Sequence, residues 1–180
     1  MIKIFDKYEK WGAYHWNWIG RGSEHWYNKM VALNLNEFPP TGSVLDIGCG
    51  DGVTCKLLKD KGLEVTGFDS NEDAVNFAKS RVDGVKIELS SIEDITLNRN
   101  YDYFLAQDSI EHFENITPLV DLFIKHCDKF MIISTDITGY ELGKYEYHNY
   151  SLEELVELFK PFKVDKLYQF RKVYGVKISK

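Results

Sequence analysis

The densest chemistry in the chain lies in Val44-Leu45-Asp46-Ile47-Gly48-Cys49-Gly50-Asp51-Gly52. Glycines at alternating positions directly after a buried strand let the backbone turn tightly and approach a ligand with no Cβ in the way, and the helix that follows offers free N–H groups at the same point. A dinucleotide fingerprint wants G-x-G-x-x-G, yet after Gly48 and Gly50 the third glycine is replaced by Val53. Roughly 20 residues on, Asp69 ends a second apolar run, where a carboxylate can accept hydrogen bonds from both hydroxyls of a ribose. Together these features describe an adenosine ligand without a pyrophosphate. Taken singly, the loop could be only a tight turn and Asp69 a helix cap. Ser70, however, already stands at capping-box spacing from Asp73 and leaves the Asp69 carboxylate free. Cys49 and Cys55 read as small buried fillers.

With these residues in place, the chain resembles the class I S-adenosylmethionine-dependent methyltransferases of the small-molecule type. Asp46 to Gly52 is similar to the first motif of that family, which surrounds the methionine portion of the cofactor; the resemblance implies contacts from Asp46, Gly48, Cys49 and Gly50. Gly67-Phe68-Asp69-Ser70 is similar to the second motif, with Asp69 on the ribose and Ser70 beside it. Ser90-Ser91-Ile92-Glu93-Asp94 is placed like the third, where an acidic residue reaches the adenine amine and an apolar one lies on the ring. Here Ser91 stands where aspartate is frequent, so the amine would be held by a hydroxyl, by Glu93 or by backbone, with Ile92 against the ring. Tyr101 to Asp108 is similar to the fourth strand and its exit, which brings Gln107 near the sulfonium. An N-terminal tyrosine touches the cofactor carboxylate in similar enzymes, a role the resemblance gives to Tyr14. The match runs from about residue 40 to 135 in order.

Methyl transfer from a sulfonium is an in-line displacement at carbon, for which the protein supplies chiefly proximity and orientation. An amine or phenol acceptor must also lose a proton. His112, in Asp108-Ser109-Ile110-Glu111-His112, is the first candidate base, its alternative role being to brace the loop or helix start. His148 is the second. It belongs to an aromatic stretch with Tyr140, Tyr145, Tyr147 and Tyr150, flanked by Gly139 and Gly143 as hinges, expected to rise beside the same crevice. All four tryptophans, Trp11, Trp16, Trp18 and Trp26, fall in the first 27 residues. They suggest a mobile lid that stacks on a flat or cationic acceptor and whose removal leaves a folded core; the alternative is that the rings are ordinary packing. Nucleic-acid members of the class carry Asn or Asp, then Pro-Pro and an aromatic, after the fourth strand; Gln107-Asp108-Ser109-Ile110 departs from that and favours a small-molecule acceptor. Two other classes remain as alternatives, a non-catalytic S-adenosylmethionine-binding module and a NAD-dependent oxidoreductase.

The elements that must position these groups follow from periodicity. Val44–Ile47 and Leu63–Asp69 are buried strands with a helix over Val53–Lys61 between them. A second helix carries Ala74, Val75, Ala78 and Val82, and Val85–Leu89, Tyr101–Ala106 and Phe130–Ser134 are further strands, with a helix opening at Thr117-Pro118. Glu93 to Asn100 is short for a helix. Ser151 and Glu154 have capping-box spacing, Pro161 ends that helix, and Phe162–Phe170 and Val173–Ile178 are joined only by Arg171-Lys172, a link short enough for a hairpin but not for a parallel crossover. The fold class expected is α/β: a doubly wound, mostly parallel seven-stranded sheet with helices on both faces and a C-terminal antiparallel hairpin. With 180 residues and 44% hydrophobic composition, one domain over 1–180 is expected, residues 1–38 forming the aromatic cap. The formal charge of −6 works against binding to nucleic acid or anionic membranes. Three cysteines without C-x-x-C spacing indicate neither a disulfide framework nor a zinc cluster, and Met1 to Asp6 lacks the apolar core of a signal peptide, so a cytoplasmic protein with no metal is expected.

Overall fold

A computed structural model describes residues 5–138 and 141–180, so Gly139 and Tyr140, and the first four residues of the signal-peptide reading, lie outside the described residues. Three helices, α1 (Lys7–Trp11), α2 (Tyr14–Ile19) and α3 (Trp26–Glu37), precede strand β1 (Ser43–Ile47). Then follow α4 (Val53–Asp60), β2 (Glu64–Asp69), α5 (Glu72–Arg81), β3 (Lys86–Leu89) and β4 (Tyr101–Gln107). A single 3-10 turn over Ile110–His112 leads to α6 (Thr117–His126) and β5 (Cys127–Asp136), and α7 (Leu152–Leu158) leads to the hairpin of β6 (Lys163–Phe170) and β7 (Val173–Ser179).

The strands form one sheet in the order β3-β2-β1-β4-β5-β7-β6. β1 lies parallel to β2 and β4, and β4 parallel to β5, while β7 runs antiparallel to both β5 and β6. Alternation along the central strands explains the two layers. Leu45, Ile47, Phe104 and Met131 face a core closed by Leu119 and Phe123 of α6 and Leu155 of α7. Their neighbours Val44, Leu105 and Ile132 face Phe38, Leu58 and Val75 on the other side. Both faces being covered, these strands read as continuous apolar runs. The strand order reverses between β1 and β4, and the crevice beyond the carboxyl ends of these strands is where open α/β sheets receive ligands.

Several local expectations change. Ser70 does not cap α5: Asn71 does, its side chain accepting from the Ala74 N–H at 2.9 Å. Strand β5 extends well beyond Phe130–Ser134 at both ends, because pairing with β4 begins at Cys127 and pairing with β7 continues to Asp136. The Ser151/Glu154 capping box is formed in both directions, and no helix occurs between β3 and β4.

The N-terminal cap is built into the fold rather than lying loosely over it. The Trp16 indole N–H donates to the Asp51 carbonyl at 2.8 Å, and the His15 backbone N–H to the Asp51 carboxylate at 3.0 Å. Tyr8, Tyr14 and Tyr27 are buried, packing with Ala74, Val53 and Val173 of the body. Trp11, at 58% exposure, is the ring that stays outside. These rings fill gaps between cap and sheet, which favours the ordinary-packing alternative over a freely mobile lid. Among the described residues no helix is long and apolar enough to cross a membrane.

Candidate functional site

A cavity of about 350 Å³ opens at the carboxyl ends of β1, β2 and β4. Its floor is the loop after β1. Gly48 and Gly50 have φ of 75° and 56°, in the left-handed region that side chains avoid. A Cβ on Gly48 would lie 2.5 Å from the Ser109 Cβ, and one on Gly50 would run into the Tyr8 hydroxyl. The Gly48 and Cys49 N–H groups both donate to the Phe68 carbonyl, at 2.8 and 3.0 Å, which clamps the loop onto β2.

Asp69 finishes that clamp. One carboxylate oxygen accepts from the Gly50 N–H and the other from the Asn71 N–H, each at 2.8 Å. A carboxylate has about four acceptor sites, so two are committed to the loops and the rest remain for a ligand in the cavity it lines. Burial pushes its pKa above the ordinary value, opposed by these two backbone bonds. Asp46 sits deeper, fully enclosed, and burial raises it to about 7 although the Cys55 thiol donates to it at 3.2 Å. The Cys55 thiol is itself pushed well above its usual range by its hydrogen bond with Cys49 and by burial, so both sulfurs behave as fillers behind the loop.

Toward the β2 and β3 end, the walls are Phe68, Ser70, Ser91, Ile92 and Glu93. The Ser91 hydroxyl donates to Asp94 at 2.8 Å, so it is tied within its own turn. Toward β4, Gln107 is buried with both ends occupied: its amide donates to the Thr54 hydroxyl at 3.0 Å and its carbonyl accepts from Asn34 at 2.9 Å. Asn34, fully buried on α3, also donates to the Ser134 hydroxyl at 3.1 Å and accepts from the Tyr168 hydroxyl at 2.6 Å. This polar set holds the cap, β4, β5 and the hairpin in one arrangement, and only the tertiary fold brings it together. Tyr14 lines the cavity, its ring centroid 4.1 Å from that of His15 and 5.0 Å from that of Tyr8.

His112 also lines the cavity. Its Nδ1 is 3.0 Å from the Tyr145 carbonyl, which can only accept, so Nδ1 carries the proton and Nε2 keeps the lone pair in the neutral ring. Burial lowers the His112 pKa, against the pull of Asp108, and so favours that neutral form. Asp108 follows β4 with φ of 51°, and burial together with repulsion from Glu111 raises it to about 7. Glu111, which is buried and accepts from the Thr135 hydroxyl at 2.8 Å, is raised to about 7 by burial as well.

His148 is not brought to this site. It is half exposed, with Nε2 3.2 Å from Glu154, because the chain turns into the capping box of α7 and draws the imidazole to the helix start. Tyr145 and Tyr147 from the same stretch do line the cavity, whereas Tyr150 is buried in the core, its carbonyl accepting from the Tyr174 hydroxyl. The sequence reading missed Phe5, Lys7 and Asn71 at the cavity and Asn34 behind it. A signal existed for Asn71, since asparagine is as good a cap as serine; none existed for the others, whose positions depend on how the cap docks.

Residues 23–164 match a family model described as a methyltransferase domain. The chain is 29% identical over 148 residues to a ubiquinone biosynthesis O-methyltransferase of Rickettsia canadensis, covering 74% of this chain and 62% of that protein. It therefore spans less than two thirds of the length of the first curated relatives it matches. Among solved structures, a TehB-like S-adenosylmethionine-dependent methyltransferase of Corynebacterium glutamicum superposes with a TM-score of 0.74 at 15% identity, covering 96% of this chain and 97% of that one. A magnesium protoporphyrin IX methyltransferase of Synechocystis PCC 6803, solved with bound S-adenosylmethionine, superposes with a TM-score of 0.68 at 17% identity, covering 97% and 93%.

Proposed function

This chain belongs to the methyltransferase-domain family of S-adenosylmethionine-dependent enzymes, and on that premise we propose that it methylates an oxygen or nitrogen of a small, flat acceptor. The observation that carries the reading is Asp69, which joins the glycine loop to the start of α5 at the cavity edge while keeping acceptor sites for a ribose. The left-handed loop at Gly48 and Gly50 supports the fit, since a side chain at either place would strike Ser109 or Tyr8 and distort the cradle. In this reading Asp69 and Ser70 face the ribose, Ser91 and Ile92 the adenine, and Asp46, Gly48, Cys49, Gly50, Gln107 and Tyr14 the methionine part. S-adenosylmethionine supplies an electrophilic methyl group when bound.

The chain supplies orientation and a base. Neutral His112 accepts the acceptor's proton on Nε2, while its Nδ1–H stays fixed by the Tyr145 carbonyl. Phe5, Tyr145 and Tyr147 form apolar walls beside it, which suits a planar acceptor and excludes water. The names of the curated relatives favour oxygen as the atom methylated. Calorimetric titration with S-adenosylmethionine, S-adenosylhomocysteine and NAD tests the cofactor reading: the first two should bind and NAD should not. A screen of phenols and amines for methylated product tests the reaction, and cofactor binding with no product from any acceptor class would return the chain to a binding module.

A further inference from the structure

Lys7 is the one lysine or arginine among the described residues lining the cavity, where the carboxylates Asp46, Asp69, Asp108, Glu93 and Glu114 outnumber it. In so acidic a chain a cationic side chain should find a carboxylate, and its neighbours do: Lys10 and Lys144 both reach Asp6, at 2.5 and 3.0 Å. Lys7 instead lies over two rings, its Nζ 5.0 Å from the Phe5 centroid and 5.2 Å from the Tyr145 centroid. Phe5 in turn packs edge-on against His112, with ring centroids 5.1 Å apart. Lys7, Phe5, Tyr145 and His112 thus form one wall of the cavity.

An ammonium held over aromatic faces gains well short of what a charged partner gives. The rings fix its place, and no carboxylate among the described residues forms an ion pair with it, although its charge reaches Asp108 and His112. We propose that Lys7 reads the charge of the acceptor: the methylated molecule is a planar compound bearing an anionic oxygen group, such as a carboxylate, which Lys7 pairs while the ring lies along Phe5 and Tyr145. This rests on the reading of the site as a methyltransferase centre with its acceptor beside His112. A cation on this wall also disfavours a second cation, which argues against the ammonium-type acceptors that an aromatic surround alone would admit.

The test uses two probes of the same shape and different charge, 4-hydroxybenzoate and 4-hydroxybenzamide, titrated by ligand-detected NMR into the full chain saturated with S-adenosylhomocysteine. The wild type should prefer the carboxylate by about tenfold, as expected of one charge-assisted pair in a partly solvated site. Lys7→Met and Lys7→Gln should remove that preference and leave S-adenosylhomocysteine affinity unchanged. Equal binding of the two probes, binding of neither, or a preference that survives in both variants would overturn the proposal. If Lys7 instead held the cofactor's own carboxylate, the variants would lose S-adenosylhomocysteine affinity and keep the probe ratio, which overturns it too. Failure of S-adenosylhomocysteine to bind the wild type strikes the cofactor reading alone, and the probe ratio is then read on the free protein.

Discussion

Replacing Asp69 perturbs two things that the structure allows to be separated. In Asp69→Ala the Gly50 and Asn71 N–H groups both lose a carboxylate partner now 2.8 Å away. A charge-assisted bond contributes roughly 1.5–3 kcal/mol, but water can replace the carboxylate at these donors, which brings the loss to or below the lower end of the sum, about 2–3 kcal/mol for the pair. For a domain of this size about 2–4 °C of Tm accompanies each kcal/mol, so the free protein should melt about 5–10 °C lower. Loss of the ribose contacts should weaken S-adenosylhomocysteine by about ten- to a hundredfold beyond that. Asp69→Asn is the discriminating partner: its remaining carbonyl can keep one loop N–H, but its amide must turn a donor toward the other donor. It should recover part of the Tm and little of the affinity. Calorimetric titration beside a thermal melt reads both quantities, and a folded Asp69→Ala that binds S-adenosylhomocysteine with wild-type affinity would refute the assignment.

Gly48→Ala should abolish cofactor binding while the chain stays folded, because its Cβ would meet Ser109 at 2.5 Å in a left-handed turn; normal affinity would sink the role given to the loop. His112→Ala should cut turnover by about a hundredfold with S-adenosylhomocysteine affinity intact, measured once an acceptor is in hand, and retained turnover would leave the imidazole as a brace. Deleting residues 1–27 removes buried Tyr8, Tyr14 and Tyr27, each worth about 3–5 kcal/mol in a domain typically 5–15 kcal/mol stable, so circular dichroism should show no cooperative melt; a folded truncation would restore the mobile-lid picture. Asp46 has a folded pKa of about 7 against about 3.9 unfolded, so the folded state binds the extra proton between those values. Its contribution is fully present below pH 4 and lost as pH rises to about 7; the Tm of Asp46→Asn should therefore fall less than that of the wild type between pH 5 and 8.

The local reading succeeded where short-range chemistry leaves no choice. Alternating glycines after an apolar run can only turn, and Val53 in place of the third glycine already disfavours a dinucleotide. Arg171-Lys172 is too short to cross over, so the hairpin and its antiparallel sense followed from the link alone. Ser151 and Glu154 formed their box because both partners lie within one turn. Where two residues offered similar local chemistry, the sequence did not choose between them: Ser70 and Asn71 are both good caps, and the choice fell to Asn71, whose side-chain amide also donates to the Phe5 carbonyl of the docked cap at 2.9 Å.

What the sequence determined by itself was the order of strands and helices from β1 onward, the glycine loop and the carboxylate that ends β2, all set by contacts between near neighbours in the chain. The tertiary structure decided which groups meet across long separations. The sequence offers His112 and His148 as first and second candidate bases, and only the packing of their two separate loops puts one in the cavity and the other on Glu154. Asn34 meets Gln107, and Lys7 meets Tyr145, across stretches of chain that carry no mutual signal. Such pairings depend on how whole elements pack, because a side chain's partner is fixed by the position of its backbone, and that position is settled by the burial of many other residues at once.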